Sequence, residues 1–301
     1  MRLSVLIVNW NTRDDLERCL TSSAFRVSSP EFLVPGSEPD SELGTRNSEL
    51  IVVDNASTDG SVEMLARSFP NVTVLALDTN LGYARGNNLA AEAANSDWLL
   101  FLNPDTVVPA DTPAALIRFL EGHPRAAIAA PRLVSKDGST QASIRGMPTP
   151  VAMFAAWLHL DRLFSRAEAF TSYRLPGFDY DLTQQAPQPM ASAWMVRRAA
   201  WEDVGPFDPA FPLFFNDVDW CLRALDKGWE VWYVADTRVE HRGGASTSQV
   251  KPRATWESHR AMAAFYRKHY SKRLGPLMLA ICVAVIRAVG AVRYLWYRYS
   301  R

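Results

Sequence analysis

DWLLFLNPDTVV, Asp97–Val108, is the stretch that decides the fold. From Trp98 to Leu102 every position is apolar, the pattern of a strand covered on both faces in a parallel sheet. The run stops at Asn103-Pro104-Asp105. Proline has no backbone N–H and disfavours helical geometry in the residue before it, so Asn103 and Asp105 are expected to project from the carboxyl edge of the sheet. A carboxylate there is placed to hold a cation; a plain Asn-Pro-Asp turn is the alternative.

Upstream, Leu3–Val8 is a second buried-strand pattern that ends at Asn9 and leads into helical spacing at Leu16, Cys19 and Leu20. ELIVVD (Glu49–Asp54) and Asn71–Leu77 give two more strands, each followed by a helix. The turn after ELIVVD is small and polar, Asn55 to Ser61, with Asp59 or Ser61 able to cap the next helix. This alternation implies a parallel, doubly wound sheet. With all strands pointing one way, Asn9, Asp54 and the Asn103–Asp105 turn emerge at one edge, where open α/β sheets bind ligands. Neither a G-x-G-x-x-G after the first strand nor a P-loop occurs, so a nucleotide held here needs carboxylates rather than a glycine cradle.

The 301 residues include 32 basic and 32 acidic ones, and 48% are hydrophobic. That suffices for one large or two modest cores, and the charge balance gives no field favouring nucleic acid. Cys19, Cys221 and Cys282 lack a C-x-x-C pattern and read as free thiols of a reducing compartment. The amino terminus runs straight into LSVLIVN without a signal peptide's apolar length or cleavage site, so a cytosolic location is expected. Residues 26–48 are rich in Ser, Pro, Glu and Gly and read as a flexible surface insertion.

Downstream, Ala126–Pro131 reads as a strand, and PMASAWMVR (Pro189–Arg197) as another whose small residues permit close approach. A helix is expected from Asn216 or Asp217, with Val218, Cys221, Leu222 and Leu225 on one face and Lys227-Gly228 at its end. Asp217 then reads as an N-cap or first-turn acid and Asp219 as a partner of Arg223. Glu230–Val234 and Thr237–Glu240 are short strands before His241, beside a glycine turn.

In order along Leu3–Ser248, the motifs LSVLIVNWNT, IVVDNASTDGS, NLGYARGNN, FLNPDTVV, ASAWMVRR, FFNDVDWCLRALDKGW and HRGGAS resemble family 2 glycosyltransferases of the GT-A fold, especially the bacterial rhamnosyltransferase-like branch. The resemblance implies a GT-A domain over 1–250, with a nucleotide-sugar-binding half (1–131) and an acceptor-binding half (132–250). It implies nucleotide-sugar contacts at Asn9, Asn11, Asp54, Asn55, Asp59, Gly82, Arg85, Asn87, Asn103 and Asp105. Asp105 would be the carboxylate of a D-x-D-like motif holding Mg²⁺ or Mn²⁺, with His241 as a second ligand or diphosphate contact. Asp217 would be the general base, and Ser192, Trp194, Asn216 and Asp219 acceptor contacts. The family commonly has Glu-Asp where this chain has Asn216-Asp217.

The implied reaction is an inverting, metal-dependent transfer of a sugar from a nucleotide donor to a lipid-linked or cell-envelope glycan. Rhamnose from dTDP-rhamnose is favoured, with a hexose from a UDP-sugar beside it. A nucleotidyltransferase and a non-catalytic sugar-nucleotide-binding module are the other readings. The first usually carries a Gly-rich basic loop where this chain has Asn9-Trp10-Asn11, and the second does not call for Asp54, Asp105, Asp217 and His241 together.

From Ser258 to Arg301 no acidic residue occurs, while arginines and lysines recur. LMLAICVAVI (Leu277–Ile286) is too short to span a bilayer alone, at about 15 Å as a helix. Continued to Tyr299, it becomes a basic amphipathic helix suited to the inner face of the cell membrane. Residues 251–301 are therefore expected to be a membrane-associating helical extension; docking on the catalytic domain or in an oligomer is the alternative.

Overall fold

The computed structural model describes residues 3–22, 48–164, 166–243 and 251–299. The expected insertion, apart from Ser48, and Gly244-Ala245-Ser246 of HRGGAS lie outside the described residues. Strands β1 (Leu3–Asn9), β2 (Ser48–Asp54), β3 (Thr73–Ala76) and β4 (Trp98–Leu102) are parallel and lie in the order β3-β2-β1-β4. β4 is buried at every position, as its unbroken apolar run requires.

The sheet continues through β5 (Thr106–Val107), β6 (Ala126–Val134), β10 (Ala193–Arg197) and β11 (Glu230–His241) in the order β4-β10-β6-β11-β5. Here the expectation that every strand points the same way is corrected. β10 runs antiparallel to both β4 and β6, and β5 antiparallel to β11. The reversal has a consequence at the carboxyl edge: β10 begins where β4 ends, Ala193 facing Leu102, so Ser192 sits beside Asn103. Short pairs complete the strands, with β8 (Gln184–Gln185) on β11 and β7 (Ile144–Arg145) on β9 (Gln188–Pro189). The expected strand Pro189–Arg197 is thus broken at Met190-Ala191-Ser192. The two segments expected at 230–240 are one strand, with a register shift between Val234 and Arg238.

Strand alternation sends side chains to two cores. Val5, Ile7, Val52, Leu100 and Leu102 pack with helices Arg13–Leu20, Ser61–Ser68 and Thr112–Gly122. Leu6, Val8, Ile51, Leu99 and Phe101 pack with helices Gly82–Ala93, Arg198–Val204 and Asn216–Asp226 on the other face. Gly86 lets the Gly82–Ala93 helix close on β1: a Cβ there would lie 2.8 Å from Val8 Cγ1.

Helices Lys251–His269 and Ser271–Tyr299 pack on each other and form a third apolar cluster with Phe211, Phe215 and Val218. The second helix breaks at Gly275 (φ 69°) before Pro276 and buries Val283, Ile286 and Gly290. Its other face exposes Leu277, Val292, Leu295, Trp296 and Tyr299. By length and composition the span Ser271–Tyr299 is apolar enough to cross a membrane. That stretch exceeds LMLAICVAVI because alanine, valine and glycine continue past Arg287.

Candidate active site

The ends of β1 and β2 are locked to each other before any ligand is considered. Asn9 Nδ2 donates to Asp54 Oδ2 (2.8 Å) and Ser57 Oγ (3.1 Å), while Thr12 Oγ1 donates to Asn9 Oδ1 (2.6 Å). Ser57 N–H donates to the other Asp54 oxygen (2.8 Å). Asn11, in the left-handed region (φ 50°), accepts from Thr58 N–H (2.8 Å). Asp59 accepts from Arg13 N–H (2.8 Å) and from Ser61 at the start of its helix. Asn9 and Asp54 are 0% and 1% exposed. Along with Asn11 and Asp59, they shape the turns that frame the cleft.

Beside those turns a cavity of about 430 Å³ gathers Asn103, Asp105, Ser192, Asn216, Asp217 and His241. Asn103 Nδ2 donates to Ser192 Oγ (3.2 Å), a contact that depends on the reversed β10. Thr106 pairs with His241 across β5 and β11, and Arg242 N–H donates to Asp105 O (3.0 Å), which brings the two ends together. Their side chains meet with His241 Nε2 3.5 Å from Asp105 Oδ1, both nearly buried.

Gln141 decides which histidine nitrogen holds the proton. Its Nε2 donates to His241 O (2.6 Å), which turns Oε1 toward His241 Nδ1 at 3.0 Å. Nδ1–H is then the donor, and Nε2 keeps its lone pair. That buried Nε2 has no hydrogen-bond partner and faces a carboxylate. Burial pushes the His241 pKa down, against the pull of Asp105. Two electron-pair donors facing each other suit a divalent cation that completes its shell with phosphate oxygens. Among the described residues no cluster of three or more His, Cys, Asp or Glu side chains is placed to hold a metal ion.

Asp217 opens the helix Asn216–Asp226, after Phe215 in a left-handed conformation (φ 68°). Burial raises its pKa to about 6, partly opposed by hydrogen bonds from backbone N–H groups such as Val218 (2.8 Å). Gln188 Nε2 reaches its Oδ2 from β9 (3.1 Å). A carboxyl poised near neutrality at the mouth of a cleft is suited to general-base work.

A second cavity of about 440 Å³ shares Val8, Tyr83 and Leu213 with the first and adds Trp10, Asn55, Asn80 and Gly82. Asn55 bridges Gly82 O and Leu81 N–H, both at 3.2 Å. Other expected contacts lie elsewhere. Arg85 is exposed and lines neither cavity, and Asn87 is buried with Nδ2 on Tyr83 O (3.0 Å). Trp194 is fully buried against Phe207 and Trp220, because strand alternation aims it into the core rather than the cleft. Asp219, also 0% exposed, points away to Arg223 (2.8 Å), Lys268 (2.6 Å) and His269 (2.7 Å), as the Arg223 reading anticipated. Tyr83 and Trp10 line these cavities, and Gln141 and Gln188 brace His241 and Asp217; the contacts join segments far apart in the chain, which no local pattern reveals, although Trp10 and Tyr83 stand inside LSVLIVNWNT and NLGYARGNN.

A family model described as Glycosyl transferase family 2 matches residues 4–202. The chain belongs to glycosyl transferase family 2. It is similar to the N-acetylglucosaminyl-diphospho-decaprenol L-rhamnosyltransferase of Mycobacterium tuberculosis, 27% identical over 264 residues that cover 82% of this chain and 78% of that protein. The O-antigen biosynthesis protein RfbC of Myxococcus xanthus is 27% identical over 248 residues, 80% of this chain and 17% of that protein. Among solved structures, S. aureus TarS 1–349 is similar with a TM-score of 0.52 and 16% identity, over 90% of this chain and 72% of that one. Its complex with UDP-GlcNAc gives a TM-score of 0.51 at 17% identity, over 90% and 73% of the two chains. At such identity the likeness shows the fold: GT-A, a mostly parallel sheet flanked by helices, with an apolar C-terminal helix added. This family 2 member is a glycosyltransferase.

Proposed function

We propose that this glycosyltransferase moves a sugar, with inversion, from a nucleotide donor to a lipid-linked or cell-envelope glycan, and that the donor is dTDP-rhamnose ahead of a UDP-hexose. The observation that carries the reaction is Asp217 in the same cavity as the Asp105–His241 pair. The mycobacterial rhamnosyltransferase, 27% identical over most of both chains, supports the rhamnose donor and an acceptor built on a lipid diphosphate.

Asp105 and His241 are the residues to hold Mg²⁺ or Mn²⁺, which when bound supplies charge stabilisation for the departing nucleoside diphosphate. Gln141 fixes His241 in the tautomer that presents Nε2. The adjoining cavity, lined by Trp10, Asn55 and Gly82, takes the nucleoside. Asp217 accepts the proton of the acceptor hydroxyl as that oxygen attacks the anomeric carbon, and Gln188 holds the carboxylate in line. Ser192, Asn103 and Asn216 border the position of the sugar between them. In-line attack by a single displacement inverts the anomeric centre. NMR of the product tests this: an anomeric configuration opposite to the donor's is expected, and retention would sink the single-displacement reading.

The stretch from Ser258 to Arg301, basic and without an acidic residue, suits peripheral contact with the anionic inner face of the cell membrane, where a lipid-linked acceptor resides. The exposed apolar face of Ser271–Tyr299 supports that location for an otherwise cytoplasmic enzyme.

A further inference from the structure

We infer that the helices Pro150–Trp157 and Leu160–Leu163 form a second surface that inserts into the lipid bilayer, beside the exposed face of Ser271–Tyr299. This rests on the lipid-linked-acceptor reading above and deepens it: the bilayer would be gripped next to the general base as well as at the end of the chain.

The helix PVAMFAAW carries no polar side chain at all. Such a helix is ordinarily covered on every side. Here Ala152, Met153, Ala155 and Ala156 are buried, whereas Val151, Phe154 and, just past the helix, Leu158 fall on one stripe and are each more than half exposed. Leu163 and Phe164 in the next turn of chain are more than half exposed as well. Apolar side chains gathered this way mark a contact surface.

The stripe lies along the C-terminal helices. Met153 and Trp157 belong to the same apolar cluster as Leu279, Cys282 and Val283. Trp157 lies over His259 (ring centroids 6.4 Å apart), and His259 packs so closely on Gly290 that a Cβ there would be 2.7 Å from its own Cβ. Exposed Met278, Ile281 and Val285 therefore flank the same seam from the other side. The excursion is also rooted at the active site. Gly146 N–H donates to Tyr173 O (2.9 Å), and a Cβ on Gly146 would lie 1.7 Å from Ser172 O, so the chain leaves and returns at one point. Immediately before it, β7 pairs with β9, whose Gln188 bonds Asp217, and Met190 N–H donates to Ser143 O (2.9 Å).

Charge selects the bilayer over a second copy of the chain. Lys272, Arg273 and Arg287 are exposed beside the apolar face of Ser271–Tyr299, and no acid occurs from Ser258 to Arg301. Around Leu163 the charges balance, with Asp161 and Glu168 against Arg162 and Arg166. A two-fold interface would set the basic patch against itself, whereas anionic headgroups attract it.

Sedimentation of the full chain with vesicles of equal parts phosphatidylcholine and phosphatidylglycerol tests the surface. Wild type should bind, and the double variant Phe154→Ser/Leu158→Ser should bind about tenfold or more weakly, since two large side chains no longer gain by leaving water. Leu163→Ser should weaken binding several-fold. All three positions are exposed, so urea melts without vesicles should match wild type. In transfer assays the double variant should raise KM for an acceptor carried in those vesicles and keep kcat. Vesicle binding equal to wild type in both variants would overturn the surface while leaving contact through Ser271–Tyr299 standing. Self-association that the double variant loses, with vesicle binding intact, would give the patch to a second copy instead. Wild type that ignores the vesicles would remove the membrane reading, and this surface with it.

Discussion

Asp217→Asn separates a base from a first-turn structural acid because the two roles move stability and rate in opposite directions. The folded carboxyl has its pKa raised from 3.8 to about 6 by burial. It therefore binds a proton more tightly folded than unfolded, so ionisation destabilises the fold progressively between those values and fully above the higher one. A shift of that size corresponds to roughly 2–3 kcal/mol at neutral pH. The amide is isosteric and uncharged, so Asp217→Asn should raise stability at pH 7 by up to that order while lowering kcat by about 10²–10⁴-fold. In wild type, kcat/KM should rise about tenfold per pH unit below pH 6 and level off above it. Stopped-time transfer assays across pH 4.5–8, beside urea melts at pH 4 and 7, give both halves. An acid limb near pH 4, or a variant that retains transfer, would rule out Asp217 as the base.

Other consequences follow from packing and charge. Asp219→Ala leaves Arg223, Lys268 and His269 around an empty buried site and should cost about 3–5 kcal/mol in chemical denaturation. Burial pushes the Asp219 pKa up, but hydrogen bonds from His269, Lys268 and Arg223 outweigh it and hold the pKa below the ordinary carboxylate value. That stabilisation is complete above the ordinary value and lost as pH falls through the lower folded one, so the wild-type advantage should fade below about pH 4. Gly86→Ala should cost roughly 1–3 kcal/mol, since its methyl meets Val8 across the helix–strand contact; an unchanged melt would mean the helix shifts freely. Deletion of Gly275–Arg301 should release the protein from vesicles containing anionic lipid, and undiminished sedimentation with them would place the membrane contact elsewhere.

Much of the cleft was legible because parallel strand ends are written locally. The apolar run Trp98–Leu102 is β4 to the residue, and Pro104 ends it where Asn103 and Asp105 enter the cavity. Direction was less legible, since a strand's hand depends on how the intervening chain returns; hence the reversed β10, which Ala193 to Arg197 do not encode in their own pattern. The two acids of FFNDVDW illustrate the same limit. Two helix positions apart, they diverge by about 200°. Asp217 turns to the cleft and Asp219 to Lys268 and His269, a choice set by a helix some fifty residues later in the chain. Asp54 likewise accepts from Asn9, a pairing of two strand ends that its own motif does not display.

On the proposed reading, this cleft transfers a sugar from a nucleotide with the help of Asp105. It is tested most directly by nucleoside-diphosphate release from dTDP-rhamnose and UDP-hexoses, with a lipid-diphosphate acceptor, with and without Mn²⁺, in wild type and Asp105→Ala. Release from one donor, dependent on acceptor and Mn²⁺ and lost in Asp105→Ala, is the predicted result. Release that is indifferent to Mn²⁺ and survives Asp105→Ala would exclude a cation-holding role for Asp105, and no release from any donor would exclude sugar transfer by this cleft.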